Sequence, residues 1–261
     1  MSAFDENIDP LPTGINEADM VAELINTFPD YAVENRSLVE FMSLIMLKYR
    51  NYDMVTATKR LSNYLSWRKS LFGNLDDHTM ENDAKLGGVM KMGFFQTILP
   101  PKGEGPMILY IRARLGDNTK FETMDIVKVW HYLIISGMKR DNEIARHGII
   151  VINNLEDAGF NNIDRGVPSI IGPAVNNCMP IRLVSACLFN ASWILSGFVS
   201  VVKLIFSSKM QKRIHSISDP SWFLTELKVP PARLPKELGG EYVVVEGEDY
   251  QQIYSDLHLT I

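Results

Sequence analysis

The groups able to act as nucleophiles or metal ligands are few: Cys178, Cys187 and five histidines, His78, His131, His147, His215 and His258. A catalytic cysteine needs a nearby base and a partly exposed, electropositive setting that favours the thiolate. Cys187 instead sits within the apolar run LVSACLF, where a cysteine behaves as a small core residue. No histidine stands at zinc-ligand spacing from another histidine or from a cysteine. There is no P-loop, GxGxxG fingerprint, HExxH helix, CxxC pair or GxSxG elbow. The chemistry expected is therefore binding: no catalytic residue, no metal, no cofactor, and a chain that is not an enzyme.

What it binds is suggested by charge and hydropathy. Of 261 residues, 46% are hydrophobic and 22% charged, the balance of a globular protein, and the net charge of −5 argues against a nucleic-acid partner. Residues 165–218 contain no Asp or Glu but carry Arg165, Arg182, Lys203, Lys209, Lys212 and Arg213. This basic segment surrounds LVSACLFNASWILSGFVSVV, residues 183–202, which has no charge at all. An apolar stretch framed by cations suits an anionic membrane surface. A membrane span is not expected. Asn190 and Ser192 interrupt the run, and the helical part 193–206 reaches about 21 Å at ~1.5 Å per residue, short of a ~30 Å hydrocarbon layer.

These residues must be positioned by an α/β scaffold. Residues 1–15 read as a flexible leader and 16–80 as a helical domain, with apolar residues three and four apart in VAELINTF, LVEFMSLIMLKYR and MVTATKRLSNYLSWRKSLF, the last capped by Asp53. Residues 81–245 form the main domain. MILYIRA (107–113), the strand beginning at HGIIVINN (147–154) and IRLVSACLF (181–189) alternate with helices over 123–145 and about 167–177, the order of a largely parallel sheet covered by helices. Ser192 is expected to cap the helix that follows, and 246–261 is a tail. An acidic, polar start without a signal sequence and too few cysteines for a disulfide framework point to the cytoplasm.

Three separated stretches resemble the CRAL-TRIO, or Sec14-like, lipid-binding family. LIMLKYRNYDMVTATKRLSNYLSWRK (44–69) is similar to its amino-terminal helical module, with an Arg-x-x-Asp turn and a Tyr-Leu-x-Trp-Arg helix. IRLVSACLFN, an apolar helix and KMQKRIH are similar to its gate region, and LPKELGGE (234–241) to its Leu-Pro-x-Glu-x-Gly-Gly closing motif. The resemblance implies a small helical bundle, then a mostly parallel sheet flooring an apolar lipid cavity under a mobile gate helix.

Carried over residue by residue, the resemblance assigns ligand contacts to Ile181, Leu183, Ser185 and Cys187 on the strand and to Ile194, Phe198 and Val202 on the gate. Ile163, Ile171, Val175 and Met179 contribute from the preceding loop and helix. Tyr110, Ile150 and Ile152 are added on neighbouring strands, where alternation alone does not decide which face is inner. His131 aligns with a hydroxyl-bearing pocket position in the tocopherol-transfer branch; it is read either as a ligand partner or as a satisfied core histidine. Of the phosphoinositide-binding cations of that branch, Arg182 and Arg213 are matched, whereas Val184 and Gln211 replace the others, with Lys203, Lys209 and Lys212 nearby.

The implied function is that of a monomeric, cytoplasmic carrier of a small hydrophobic molecule of the retinoid, tocopherol or carotenoid class, exchanged transiently at anionic membranes. Alternatives are Sec14-type phosphatidylinositol or phospholipid transfer, and a lipid-sensing regulatory module that moves no cargo.

Overall fold

The computed structural model of the chain describes residues 10–75, 83–191, 197, 205–245, 247 and 249. Four helices come first: α1 (Glu17–Thr27), α2 (Pro29–Glu34), α3 (Arg36–Tyr49) and α4 (Met54–Phe72). Asn16, Asn35 and Asp53 each accept a backbone amide of the first turn, which starts α1, α3 and α4. The short α2, not expected from periodicity, begins with a proline that has no amide to leave unsatisfied. Between α3 and α4, Asn51 and Tyr52 both take left-handed backbone angles (φ 51° and 64°), so the Arg-x-x-Asp stretch is a tight reversal. The bundle interior is Leu38, Val39, Met42, Ile45, Met46 and Leu47 against Leu61 and Leu65.

The sheet has five strands in the order β1-β2-β3-β4-β5: β1 (Phe95–Ile98), β2 (Met107–Arg112), β3 (Ile149–Asn154), β4 (Leu183–Phe189) and β5 (Ile214–Ile217). β1 runs antiparallel to β2, and the other pairs are parallel. The three expected strands are all present. β1 and β5 were not expected, since at four residues each they are too short for alternation to show. α5 (Ala84–Lys91) was also missed, because Gly87 and Gly88 mask its periodicity.

The helix expected over 123–145 is two: α6 (Thr123–Arg140) and α7 (Ile144–His147). Asp141 breaks it, its carboxylate accepting the amides of Glu143 and Gly103 instead of leaving the helix ladder to continue. α8 (Val167–Asn177), α9 (Ser208–Gln211) and α10 (Ser221–Thr225) follow.

Sequential parallel strands joined by crossovers of one hand put the connecting helices on one side of the sheet. α6 follows β2 and α8 follows β3, so both cover the same face. The opposite face is sealed by the chain after β5: Ile108, Tyr110, Ile150, Ile152, Cys187 and Phe189 pack against Phe223, Val229, Leu234 and Leu238. The Leu-Pro-Lys-Glu-Leu-Gly-Gly stretch closes that layer. Gly239 takes φ +83°, and a Cβ on Gly240 would fall onto the Leu234 carbonyl, so the backbone turn requires the first glycine and packing the second. Glu237 of the same stretch pairs with Arg114 at 2.9 Å. Burial first, and then this carboxylate, pushes the Tyr110 phenol above its ordinary range.

Candidate functional site

Between the sheet and helices α6 and α8 lies a cavity of about 260 Å³. Its floor is Leu109 and Ile111 of β2, Ile149, Val151 and Asn153 of β3, Leu183, Ala186 and Leu188 of β4, and Ile214 of β5. Ile126, Trp130 and Ile134, four residues apart on α6, form one wall; Val167, Pro168, Ile171 and Val175 of α8 form another. Phe94, Phe95, Phe206 and Met210 close the edges. Among the described residues the polar lining is confined to Asn153 and to one mouth, where Asp117, Asn118, Asn162 and Asp164 gather beyond the carboxyl ends of the strands. Such a cavity takes a ligand whose surface is mostly carbon, because burying apolar area contributes about 25 cal/mol per Å² and needs no reacting group.

The expected site residues divide into three groups. Ile163, Ile171, Val175, Ile181 and Leu183 line the cavity. Ser185, Cys187, Tyr110, Ile150 and Ile152 do not; their side chains belong to the opposite face of the sheet. The cause on β4 is a bulge. Ile149 pairs with Leu183 but Ile150 pairs with Ser185, so Val184 is an extra residue that exchanges the two faces from there on. Alternation from Leu183 would present Ser185 and Cys187; the bulge presents Ala186 and Leu188 instead. Met179 is buried outside the cavity, its carbonyl accepting Arg60 Nη2 at 2.7 Å.

Of the two readings of His131, ligand partner or satisfied core histidine, the structure gives the core residue and not the ligand partner. It is buried on the side of α6 that meets the helical bundle, with Nε2 3.0 Å from the Tyr64 hydroxyl and its ring among those of Tyr64, Trp67 and Phe72. The third group, Ile194, Phe198, Val202 and Lys203, lies outside the described residues, as do the Ser192 cap and most of the expected gate. At the far end of that stretch, Asn176 Nδ2 donates to the Ile205 carbonyl at 3.4 Å. Gly172 of α8 admits Ile205 so closely that a Cβ there would overlap it.

The bundle reaches the cavity wall through Arg60. Its guanidinium donates to the carbonyls of Val175 (2.7 Å), Asn176 (3.2 Å) and Met179 (2.7 and 3.1 Å), and Asn63 donates to Asn177 (3.2 Å). The carbonyls at the end of α8 thus find their partners on α4. The face of Tyr49 lies 4.7 Å from the Arg60 guanidinium.

The described basic residues do not act alike. Arg213 donates to the Leu183 carbonyl beside the bulge, and Arg182 Nη1 donates to the Arg146 carbonyl at 3.3 Å. Both therefore serve the backbone at the amino-terminal edge of the sheet. Lys209 and Lys212 are exposed.

A sheet of this order, an apolar cavity under α6 and α8, and a back face closed by Leu-Pro-Lys-Glu-Leu-Gly-Gly are accompanied by a match to the family model of the CRAL/TRIO domain over residues 91–240. The chain belongs to the CRAL/TRIO family. The CRAL/TRIO domain binds lipophilic molecules, so the chain is a lipid-binding protein of that family. Among solved structures, a crystal structure of Sfh5 matches with a TM-score of 0.53 at 9% identity, covering 94% of this chain and 98% of that one. At that identity the likeness speaks to the fold alone. Among the described residues no helix is long and apolar enough to cross a membrane, and no group of three His, Cys, Asp or Glu is placed to hold a metal ion.

Proposed function

We propose that this CRAL/TRIO protein is a cytoplasmic carrier that binds one small hydrophobic molecule, of the size and character of a retinoid, tocopherol or carotenoid fragment, and exchanges it at membranes without transforming it. The observation that carries this reading is the cavity: about 260 Å³, apolar on both described walls and, Asn153 apart, on its floor. That volume falls just below the ~300–1,000 Å³ range of small-molecule sites. It favours a single-chain or ring-bearing lipid over a two-chain phospholipid, and no Lys or Arg among the described residues lines it to receive a phosphate.

The segment 193–206, whose one charged residue is Lys203, is the gate in this account, apolar because it faces cargo when closed and lipid when open. Lys209 and Lys212 immediately after it supply the attraction to anionic headgroups. Both cysteines are free and buried, which accords with a reducing compartment.

Retinol fluorescence provides the test. The protein should take retinol from neutral vesicles into a quenched or blue-shifted bound state and deliver it to acceptor vesicles. Ala186→Trp, which fills the floor of the cavity, should abolish uptake. Uptake that persists in Ala186→Trp would contradict the assignment of this cavity.

A further inference from the structure

Asn153 is the one polar side chain on the described floor of the cavity. On β3 it follows Ile149 and Val151 on the cavity face, and its neighbours across the sheet, Ile111 and Leu188, are apolar cavity residues too. The next residue, Asn154, faces the other way and is satisfied there: it donates to the Tyr110 hydroxyl at 3.1 Å and accepts the Glu156 amide at 3.1 Å. The Asn153 side chain has no hydrogen bond with any described residue, so both halves of its amide, a carbonyl acceptor and an NH₂ donor, are available to whatever fills the cavity. An alkyl chain laid against it would strip its water and leave the amide unpaired, which is unfavourable inside an apolar site.

The charges at the adjacent mouth are acidic. Asp117 and Asp164 line the cavity. Thr119, followed by Lys120, holds Asp117 below the ordinary carboxylate range. The nearby ammonium groups are already matched, Lys120 with Asp117 at 3.1 Å and Lys85 with Glu122 and Asp125, each at 3.6 Å.

Resting on the carrier reading above, we infer that Asn153 is the polar anchor of the cavity, selecting a lipid that ends in one neutral oxygen group, a hydroxyl or a carbonyl, over one that ends in an anion. An amide can donate to a carbonyl and either donate to or accept from a hydroxyl, whereas a carboxylate or phosphate head would sit beside Asp117 and Asp164 with no cation among the described residues lining the cavity. The cargo then lies with its oxygen at the carboxyl end of β3 and its hydrocarbon toward Trp130, Ile149 and Leu183.

Displacement of Nile red by four probes of one chain length tests this: tetradecane, tetradecanol, the corresponding methyl ketone, and tetradecanoate. The wild-type protein should bind the alcohol and the ketone about tenfold more tightly than the alkane or the acid, a difference of about 1.4 kcal/mol. Asn153→Leu should bring alcohol, ketone and alkane to similar affinities while still binding Nile red, which shows that its cavity persists. Asn153→Asp, an acceptor that cannot donate when ionised, should keep the alcohol and lose the ketone at least tenfold. Tetradecanoate binding as tightly as tetradecanol in the wild type, or an unchanged preference in Asn153→Leu, would overturn the anchor and leave the carrier reading standing. Failure of all four probes to displace Nile red would refute the carrier reading, and the anchor with it.

Discussion

Replacing Arg60 by alanine should weaken the whole molecule, because this side chain joins the helical bundle to the cavity wall. It removes the donors that satisfy three carbonyls at the end of α8, at 2.7–3.2 Å, and a cation from the negative end of that helix. Hydrogen bonds to a charged group contribute about 1.5–3 kcal/mol each, and a cation at a partly buried helix end contributes up to ~2 kcal/mol. Two terms offset that sum: water can reach part of the emptied site, and the guanidinium no longer has to be desolvated, the burial that lowers its pKa. A net loss of about 2–4 kcal/mol follows, equivalent to a fall in Tm of roughly 4–16 °C for a chain of this size.

Chemical denaturation monitored by tryptophan fluorescence measures the loss. Dissociation of bound retinol in the same variant should accelerate, since Ile171 and Val175 stand on the released helix. Arg60→Lys, which keeps the charge but has one point of donation, should recover less than half of the stability. Asn63→Ala, losing one exposed bond to Asn177, should cost under about 1 kcal/mol. A loss below 1 kcal/mol in Arg60→Ala, or equal behaviour of the lysine and alanine variants at wild-type stability, would refute the role given to this contact.

Gly240→Ala should lower stability by more than about 3 kcal/mol in a melting experiment, since its Cβ has no room beside the backbone of Leu234; a wild-type melt would remove the packing role of that glycine. Burial pushes the Cys178 and Cys187 thiols up to about 11, so neither should react with a thiol reagent at neutral pH until the chain unfolds. Rapid modification of the native protein would contradict their placement. The carboxyls of Glu143 and Asp83 are subject to burial, which would raise their pKa, but Lys48 with Arg146 and His147 for Glu143, and Lys128 with the Leu86 and Lys85 amides for Asp83, outweigh it and hold both below the ordinary range. Their stabilisation is therefore complete above ~pH 4.5 and is lost as pH falls through the lowered folded values. Glu143→Gln combined with Asp83→Asn should flatten the acid limb of a stability-against-pH curve, and an unaltered slope would count against these pairs.

Much of this architecture is readable from residue patterns. Apolar spacing gives α1, α3 and α4, and the three long strands stand out as β-branched runs. Which side of each strand meets the cavity is not readable, and the reason is physical. In a parallel sheet covered on both faces, β3 reads as IIVINN, apolar on either side, so period-two alternation carries no sign. On β4 the sign is reversed by the bulge at Val184, a single extra residue that no composition marks. Ile163, Ile171, Val175, Ile181 and Leu183, assigned through the family resemblance, all stand before the bulge, where register does not change their side. The assignment of Ser185 and Cys187 needed the register beyond it. Which of the two readings of His131 holds was undecided for a related reason: Trp130 beside it does face the cavity, and one residue along α6 turns the side chain by about 100° toward Tyr64 of the bundle. Asn153 carried a visible signal, an asparagine ending an apolar strand, but it stands next to Asn154, and only the pairing with Ile111 and Leu188 separates the two.

The central claim is that the apolar cavity exists to hold a lipid. Native mass spectrometry of the protein purified without detergent, before and after solvent extraction, addresses it most directly. The account predicts a single adduct of one neutral lipid per chain, missing from Ala186→Trp and identified in the extract as a molecule with one hydroxyl or carbonyl head. A protein that emerges free of any adduct and stays so after incubation with lipid extracts, or one that carries a polar metabolite undiminished in Ala186→Trp, would contradict it.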